Sequence, residues 1–189
     1  MPLRGIFNRT GQDFFVLPFD IEPIPKHKKG ENIVIDIVFQ EFERVLSERK
    51  IGQCVLEIGA VPTSHSLLNL KAVSSASERI GINLDSGASY KLGKLTLQND
   101  YRIIKANANN MTCFQDNMFD TVLCNSTLEH DKYFWKTVSE IRRVAKEGAL
   151  IVIGTPGYDN LANVQLRTNK DKIRYFLISL LKLILSPNT

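Results

Sequence analysis

Five short apolar runs punctuate the middle of the chain: Cys54–Ile58, Ile80–Leu84, Arg102–Ala106, Thr121–Cys124 and Leu150–Ile153. Each is nearly continuous rather than alternating, as strands buried on both faces of a parallel sheet are. Around them the spacing becomes helical. Ile35, Phe39, Phe42 and Leu46, with Val34, Val38 and Val45 beside them, predict a helix over Glu31–Arg49, and Gly52 then breaks the chain. Ser64–Ala76 is expected to be a helix with Leu67, Leu68 and Val73 inward. Asp131–Ala145 carries the stripe Phe134, Val138, Ile141, Ala145, with Asp131 as cap and Gly148 after its end. Strands alternating with helices predict an open, mostly parallel α/β sheet flanked by helices.

The ends of the chain do not follow this pattern. Residues 1–30 are expected to be an irregular N-terminal arm, because Pro18, Pro23 and Pro25 set an extended course and Gly30 closes it. Ser86–Asn99 should hold a crossover helix, but Gly87, Gly93 and its leucine spacing suit one poorly, and it stays unassigned. After Pro156 a loop leads to one helix-like segment, Asp171–Leu185. The expected organisation is therefore an arm (1–30), a sheet domain (31–158), and a loop with an apolar C-terminal helix (159–189). "YFLISLLKLIL" (175–185) is too short to span a bilayer. It can be a buried helix, a helix for a partner or a membrane surface, or the start of a cap whose remainder is missing. The last is favoured, since the sheet would otherwise keep an unfinished edge without a terminal antiparallel hairpin. The chain would then be a fragment.

Composition narrows the function classes. The net charge of +4 is mild, and Lys26-His27-Lys28-Lys29 is too short for a nucleic-acid footprint. Cys54, Cys113 and Cys124 have neither metal-type nor redox-type spacing, which favours a reducing compartment and no metal. The first thirty residues hold no apolar stretch long enough for a signal peptide, and a cytoplasmic protein is expected. Oligomeric state leaves no mark.

Candidate chemistry begins at "VLEIGAVPTSHSLL" (55–68), a strand, a turn and the expected start of a helix. The loop after the first strand is where an open α/β sheet holds its ligand. A dinucleotide cradle would read G-x-G-x-x-G, but counting from Gly59 those places hold Val61 and Ser64, and Pro62 removes a donor. Glu57 would also repel a pyrophosphate. This disfavours a nicotinamide oxidoreductase. S-adenosylmethionine lacks a pyrophosphate and carries a cationic arm that Glu57 can help to hold, while Gly59 and Ala60 make the turn. Asp85, ending "RIGINLD", can accept from both ribose hydroxyls, as the acid of nicotinamide enzymes does. Equally simple readings stand beside these: a loop-bracing carboxylate for Glu57, and a strand-end turn residue for Asp85.

"VLEIGAVP", "INLD", "ANANNMTCFQDNMFDTVLCNSTLEH" and "EIRRVAKEGALIVIGTPG" occur in that order. Together they resemble the class I S-adenosylmethionine-dependent methyltransferases, in particular the type 11 methyltransferase domains, over roughly residues 33–158. The most specific parts are D-N-x-F-D at Asp116–Asp120, L-E-H at Leu128–His130, and the helix ending near Gly148. The resemblance implies a Rossmann-like fold, S-adenosylmethionine as cofactor, and methyl transfer as the reaction. It also implies that Asn107-Ala108 stand where the family reads the adenine amino group. Asn107 can still accept there through its side-chain carbonyl. The chain departs from the family's D/E-x-G-x-G-x-G with Val61 and Thr63.

Displacement from a sulfonium mainly needs alignment, and a base only where the acceptor must lose a proton. His130 is the candidate base and Glu129 a candidate orienting group; a helix-start residue bonding backbone and a surface charge are the plainer readings. Asn125 and Ser126 are placed to line the cofactor cleft or simply to turn the strand end. Tyr133-Phe134-Trp135 can be an aromatic platform for substrate, although Phe134 falls at a core position. Two functions follow: a methyltransferase on a small-molecule or glycan-type acceptor, or a methyltransferase-fold scaffold without turnover.

Overall fold

The computed structural model describes residues 5–7, 12–20, 33–84 and 101–157. The strands are β1 (Gly5–Phe7), β2 (Asp13–Asp20), β3 (Cys54–Ile58), β4 (Glu78–Asn83), β5 (Arg102–Lys105), β6 (Phe119–Asn125) and β7 (Ala145–Gly157). They form one sheet in the order β1-β2-β7-β6-β3-β4-β5. All neighbours from β2 to β5 pair in parallel, and β1 pairs antiparallel with β2. This is the open, mostly parallel α/β sheet that the apolar runs predict.

Alternation along the strands assigns the two faces. Leu56, Ile58, Ile80, Ile82, Val122, Cys124, Ile151 and Ile153 point to one cluster, together with Phe134, Val138, Ile141 and Val144 of helix α2 (Phe134–Val144). Val55, Leu123, Leu150 and Val152 point to the other, with Val38, Phe42, Val45 and Leu46 of helix α1 (Ile33–Ser47). Burial on both faces is why these strands read as unbroken apolar runs. The inward stripe of α1 lies on Val38, Phe42, Val45 and Leu46, with Phe39 partly buried against the same cluster, all of them positions that the spacing names.

Two expected elements differ. No helix spans 64–76; short 3-10 turns cover Leu67–Asn69 and Lys71–Val73. The buried Leu67, Leu70 and Val73 recur every third residue, the period of a 3-10 turn. The amides of Leu67 and Leu68 go to the Glu57 carboxylate, and that of Leu68 also to Ser66 Oγ, so side chains take donors that an α-helix would use.

The stretch expected as an irregular arm contains β1 and β2. β2 pairs with β7 over eight residues, from Asp13↔Leu150 to Asp20↔Gly157. Gln12, buried just before it, donates to the carbonyls of Arg142 and Ala145 at 3.2 and 3.1 Å and staples the strand to the α2–β7 junction. The edge beside β7 is thus extended by N-terminal strands, which removes the ground for expecting a cap there. Ser86–Asn99 and Asp171–Leu185 lie outside the described residues.

The D-N-x-F-D motif builds the end of the sheet opposite the strand carboxyl ends. Asn117, at φ 54, turns the chain, and the amides of Asn117 and Met118 donate to the carbonyls of Arg143 and Val144. Arg143 bonds Asp116, Glu140 and the carbonyls of Met111 and Phe114. Asp120 accepts from Cys54 N at 3.0 Å and from Lys146 at 2.8 Å, and these bonds hold its carboxyl below the usual range even though burial pushes the other way. A Cβ on Gly52 would overlap Asp120 Cβ, so the two segments approach as only glycine allows. Gly52→Ala should therefore lower stability by about 2 kcal/mol in urea unfolding; an unchanged midpoint would mean that the 52–120 approach is looser than described.

Candidate functional site

The carboxyl ends of β3, β4, β5 and β6 meet at one edge of the sheet. Ile58 pairs with Ile82 on one side and Cys124 on the other, Asn83 with Lys105, and Asn125 with Gly154. Gly59, Asn83, Asn107 and Asn125 therefore follow or end adjacent strands at the same edge. β3 and β6 lie side by side, and the connections that leave them run in opposite directions, from β3 to β4 and from β6 to β7; such a switch point opens the crevice in which α/β sheets bind ligands.

Gly59 turns the chain at φ +79. Its N–H and that of Ala60 both donate to Ile82 O, at 2.9 and 3.0 Å, and Asn83 Nδ2 donates to Ala60 O at 2.8 Å. Across the switch point, Thr127 Oγ1 donates to Asn125 O at 2.9 Å and stands where a Cβ on Gly59 would be. The turn is thus pinned to β4 by its amides and covered from the β6 side by Thr127.

Glu57 is 4 % exposed and faces the 3-10 turns. Its carboxylate accepts from Ser66 Oγ at 2.5 Å, Leu67 N at 3.0 Å and Leu68 N at 3.4 Å. Burial pushes its pKa up to about 7 against the pull of those three donors. Of the two readings open in the sequence, the loop-bracing carboxylate is the geometry described. Its sequence signal was Ser66, nine residues on and just ahead of two leucines.

Asn107 is exposed, and its Oδ1 accepts from Asn109 N at 2.9 Å, closing a turn that keeps the half-buried Ala108 against the core. Asn109, which no motif singles out, donates to Asp131 Oδ2 at 2.6 Å and Thr137 Oγ1 at 2.7 Å, and joins the β5–β6 loop to α2. Asp131 does not cap α2; its Oδ1 accepts from Tyr133 N one turn earlier.

Asn125 Oδ1 is a buried acceptor with no hydrogen-bond partner among the described residues. Ser126 is exposed, at φ 47, and its N–H donates to Gly154 O. Leu128–His130 form a 3-10 turn, with Leu128 buried, Glu129 half-buried and the His130 side chain exposed. Desolvation and the nearby Glu129 charge push the buried Cys124 thiol up, so it is inert as a nucleophile. Asp85 lies outside the described residues. Among the described residues no His/Cys/Asp/Glu group could hold a metal, and no helix is long and apolar enough to cross a membrane.

Comparison with known proteins agrees with this architecture. The model of a methyltransferase domain family matches residues 56–153. No curated protein matches the chain. Among solved structures, a SAM-dependent methyltransferase from Aquifex aeolicus aligns with a TM-score of 0.55 at 22% identity, covering 83% of this chain and 88% of that one. A protein from Pyrococcus horikoshii aligns with a TM-score of 0.53 at 16% identity, covering 70% and 64%. YcgJ from Bacillus subtilis gives 0.46 at 22% identity, covering 59% and 45%, and this chain spans about half the length of the first such structures it matches. Matched by the family model over more than half of its length, from β3 into β7, the chain belongs to the methyltransferase domain family, in the type 11 group whose cofactor is S-adenosylmethionine.

Proposed function

We propose that this chain is an S-adenosylmethionine-dependent methyltransferase that moves a methyl group to a small-molecule or glycan-type acceptor by in-line displacement. The observation that carries the reading is Asn125 Oδ1, an unsatisfied buried acceptor at the switch point. A buried acceptor without a partner costs about 1–3 kcal/mol, which a ligand donor or ammonium group would recover. The donor set also fits a cofactor without a pyrophosphate. Gly59 N and Ala60 N are already spent on Ile82 O, and no α-helix begins at the loop to offer its amides to a phosphate.

Asn125 and Ser126 would hold the cofactor from the β6 side, the Gly59–Ala60 turn from the β3 side, and Asn107-Ala108 and Asp85 would read its adenosine end. Glu57 would act indirectly, by holding the 66–68 segment in place. When bound, S-adenosylmethionine supplies a methyl group on a sulfonium that departs as a neutral thioether. The protein's task is then alignment, which can contribute about 7–11 kcal/mol. His130, exposed at the end of its turn, is the group to take a proton where the acceptor carries one, and Glu129 the group to orient that acceptor.

A scaffold without turnover is the second reading. It is supported by Thr127, which fills the space over Gly59. Calorimetry with S-adenosylmethionine and S-adenosylhomocysteine separates the two. About micromolar binding is expected, weakened about tenfold or more by Asn125→Ala, the value of one hydrogen bond to a charged group. A folded parent that gives no heat with either ligand would remove the enzyme reading and leave the scaffold.

A further inference from the structure

Phe134 is buried in the core at 3 % exposure, but its neighbours Tyr133 and Trp135 stay 44 % and 46 % exposed. They are not scattered surface residues. Their rings meet edge to face at 5.6 Å, and Trp135 also meets the buried Phe134 ring at 5.5 Å, which fixes its orientation. The Lys132 and Lys136 ammonium groups lie 5.5 and 5.2 Å from the Tyr133 ring centre. Among the described residues neither lysine has a carboxylate within ion-pairing distance. The nearest acid along the chain, Asp131, is taken up by Tyr133 N, Asn109 and Thr137.

Local rules are broken here. Tyr133 occupies the N-cap of α2 without any side-chain cap, where Ser, Thr, Asp or Asn is preferred. Two lysines flank that positive helix end, where acids are favoured. A helix start designed only for stability would carry none of these residues, and such violations gather at functional positions. The patch also sits correctly for an acceptor. It follows the Leu128–His130 turn that comes after Asn125, and Asn109 ties the flanking Asp131 and Thr137 to the loop after β5, so the patch borders the edge where the cofactor residues gather.

We propose that Tyr133, Trp135, Lys132 and Lys136 form the acceptor-docking surface, and that the acceptor is a ring-bearing acid. Its ring lies against Trp135, and its carboxylate or phosphate faces the two ammonium groups. This rests on the methyltransferase reading above and narrows its substrate class. The exposed aromatic faces supply apolar contact that a bare anion cannot use, and the unpaired lysines supply charge that a neutral sugar cannot use.

Trp135 is the single tryptophan of the chain, so its emission reports on this surface alone. Titration with glucuronate, glucose 6-phosphate and benzoate should give a saturable change with at least one of them, and whether the sugar acids or the aromatic acid binds names the source of the ring. Glucose and inorganic phosphate, each with half of the required chemistry, should bind at least about tenfold more weakly. The double variant Lys132→Ala/Lys136→Ala should lose about tenfold in ring-acid affinity, the combined value of two exposed charge contacts, and keep its calorimetric binding of S-adenosylmethionine. Unchanged emission with all three acids, glucose binding as well as the acids do, or an unaffected lysine variant would each overturn the proposal. Ring-acid binding by a parent that does not bind S-adenosylmethionine would instead sink the methyltransferase reading and leave the docking surface standing.

Discussion

Gly59→Ala is expected to destabilise the chain by about 3 kcal/mol. Two separate costs add. At φ +79 an L side chain is strained by about 1–2 kcal/mol, and the new Cβ would overlap Thr127 Oγ1. The second cost belongs to a pair, so it can be isolated. In a Thr127→Ala background the hydroxyl is gone and the methyl can be housed with a shift of a few tenths of an ångström. There Gly59→Ala should cost only about half as much, a coupling of roughly 1–2 kcal/mol between two positions 68 residues apart in sequence. Urea unfolding of the four proteins gives the cycle directly. Additive losses would show that the turn after β3 and the loop after β6 do not touch. The result bears on the cofactor loop, because a single glycine suffices there only if it closes against a neighbour.

That coupling illustrates which parts of the fold were legible in the sequence. β3 was legible to the residue, because a strand buried on both faces must be apolar at every position except where chemistry intrudes, at Glu57. α2 was legible from Phe134, Val138 and Ile141, which recur at helical spacing over a single face. β2 was not, since Pro18 argues against a central strand. The structure tolerates it because β1 pairs only with Asp13–Phe15, and Pro18 lies beyond that reach with Thr155 as its partner in β7. The 3-10 turns were missed for a different reason. The apolar spacing of Leu67, Leu68 and Val73 suits a helix locally, and what overrides it is a carboxylate ten residues before Leu67 that claims the amides.

The same division holds in the site. Gly59, Asn107 and Asn125 could be placed because they follow apolar runs, and a run's end locates the edge of a parallel sheet. Thr127, Asn109 and Thr137 could not, because each acts on an element that the sequence does not bring near it. The D-N-x-F-D motif is the reverse case. It was easy to recognise as a family feature, yet the structure places it at the far end of β6, where Asp116, Asn117 and Asp120 join Arg143, the α2–β7 junction and Cys54. A motif can mark a family through its architecture rather than through its chemistry.

Glu57 combines full burial with the loop that the function needs, and its titration has a definite sign. Its folded pKa of about 7 lies above the ordinary value of 4.5, so the folded chain holds this proton more tightly than the unfolded one. The contribution to stability is therefore full below about 4.5 and is lost as pH rises through about 7, by about 3 kcal/mol in all. Asp120 and Glu140, whose values are lowered, act in the opposite direction but below that window. Urea unfolding between about pH 5 and 8 should show stability falling with pH. Glu57→Gln should flatten the fall while keeping the loop, since its amide oxygen can accept from Leu67 N and its amide nitrogen can donate to Ser66 Oγ. Glu57→Ala should be worse at every pH, by about 2–4 kcal/mol, because it strands Ser66 Oγ and the amide of Leu67 inside the protein. It should also abolish S-adenosylmethionine binding, because the 66–68 segment loses what positions it. A parent whose stability is level or rising from pH 5 to 8 would mean that the three donors outweigh burial and that Glu57 stays ionised throughout. The brace would then be a fixed charge rather than a proton-dependent one.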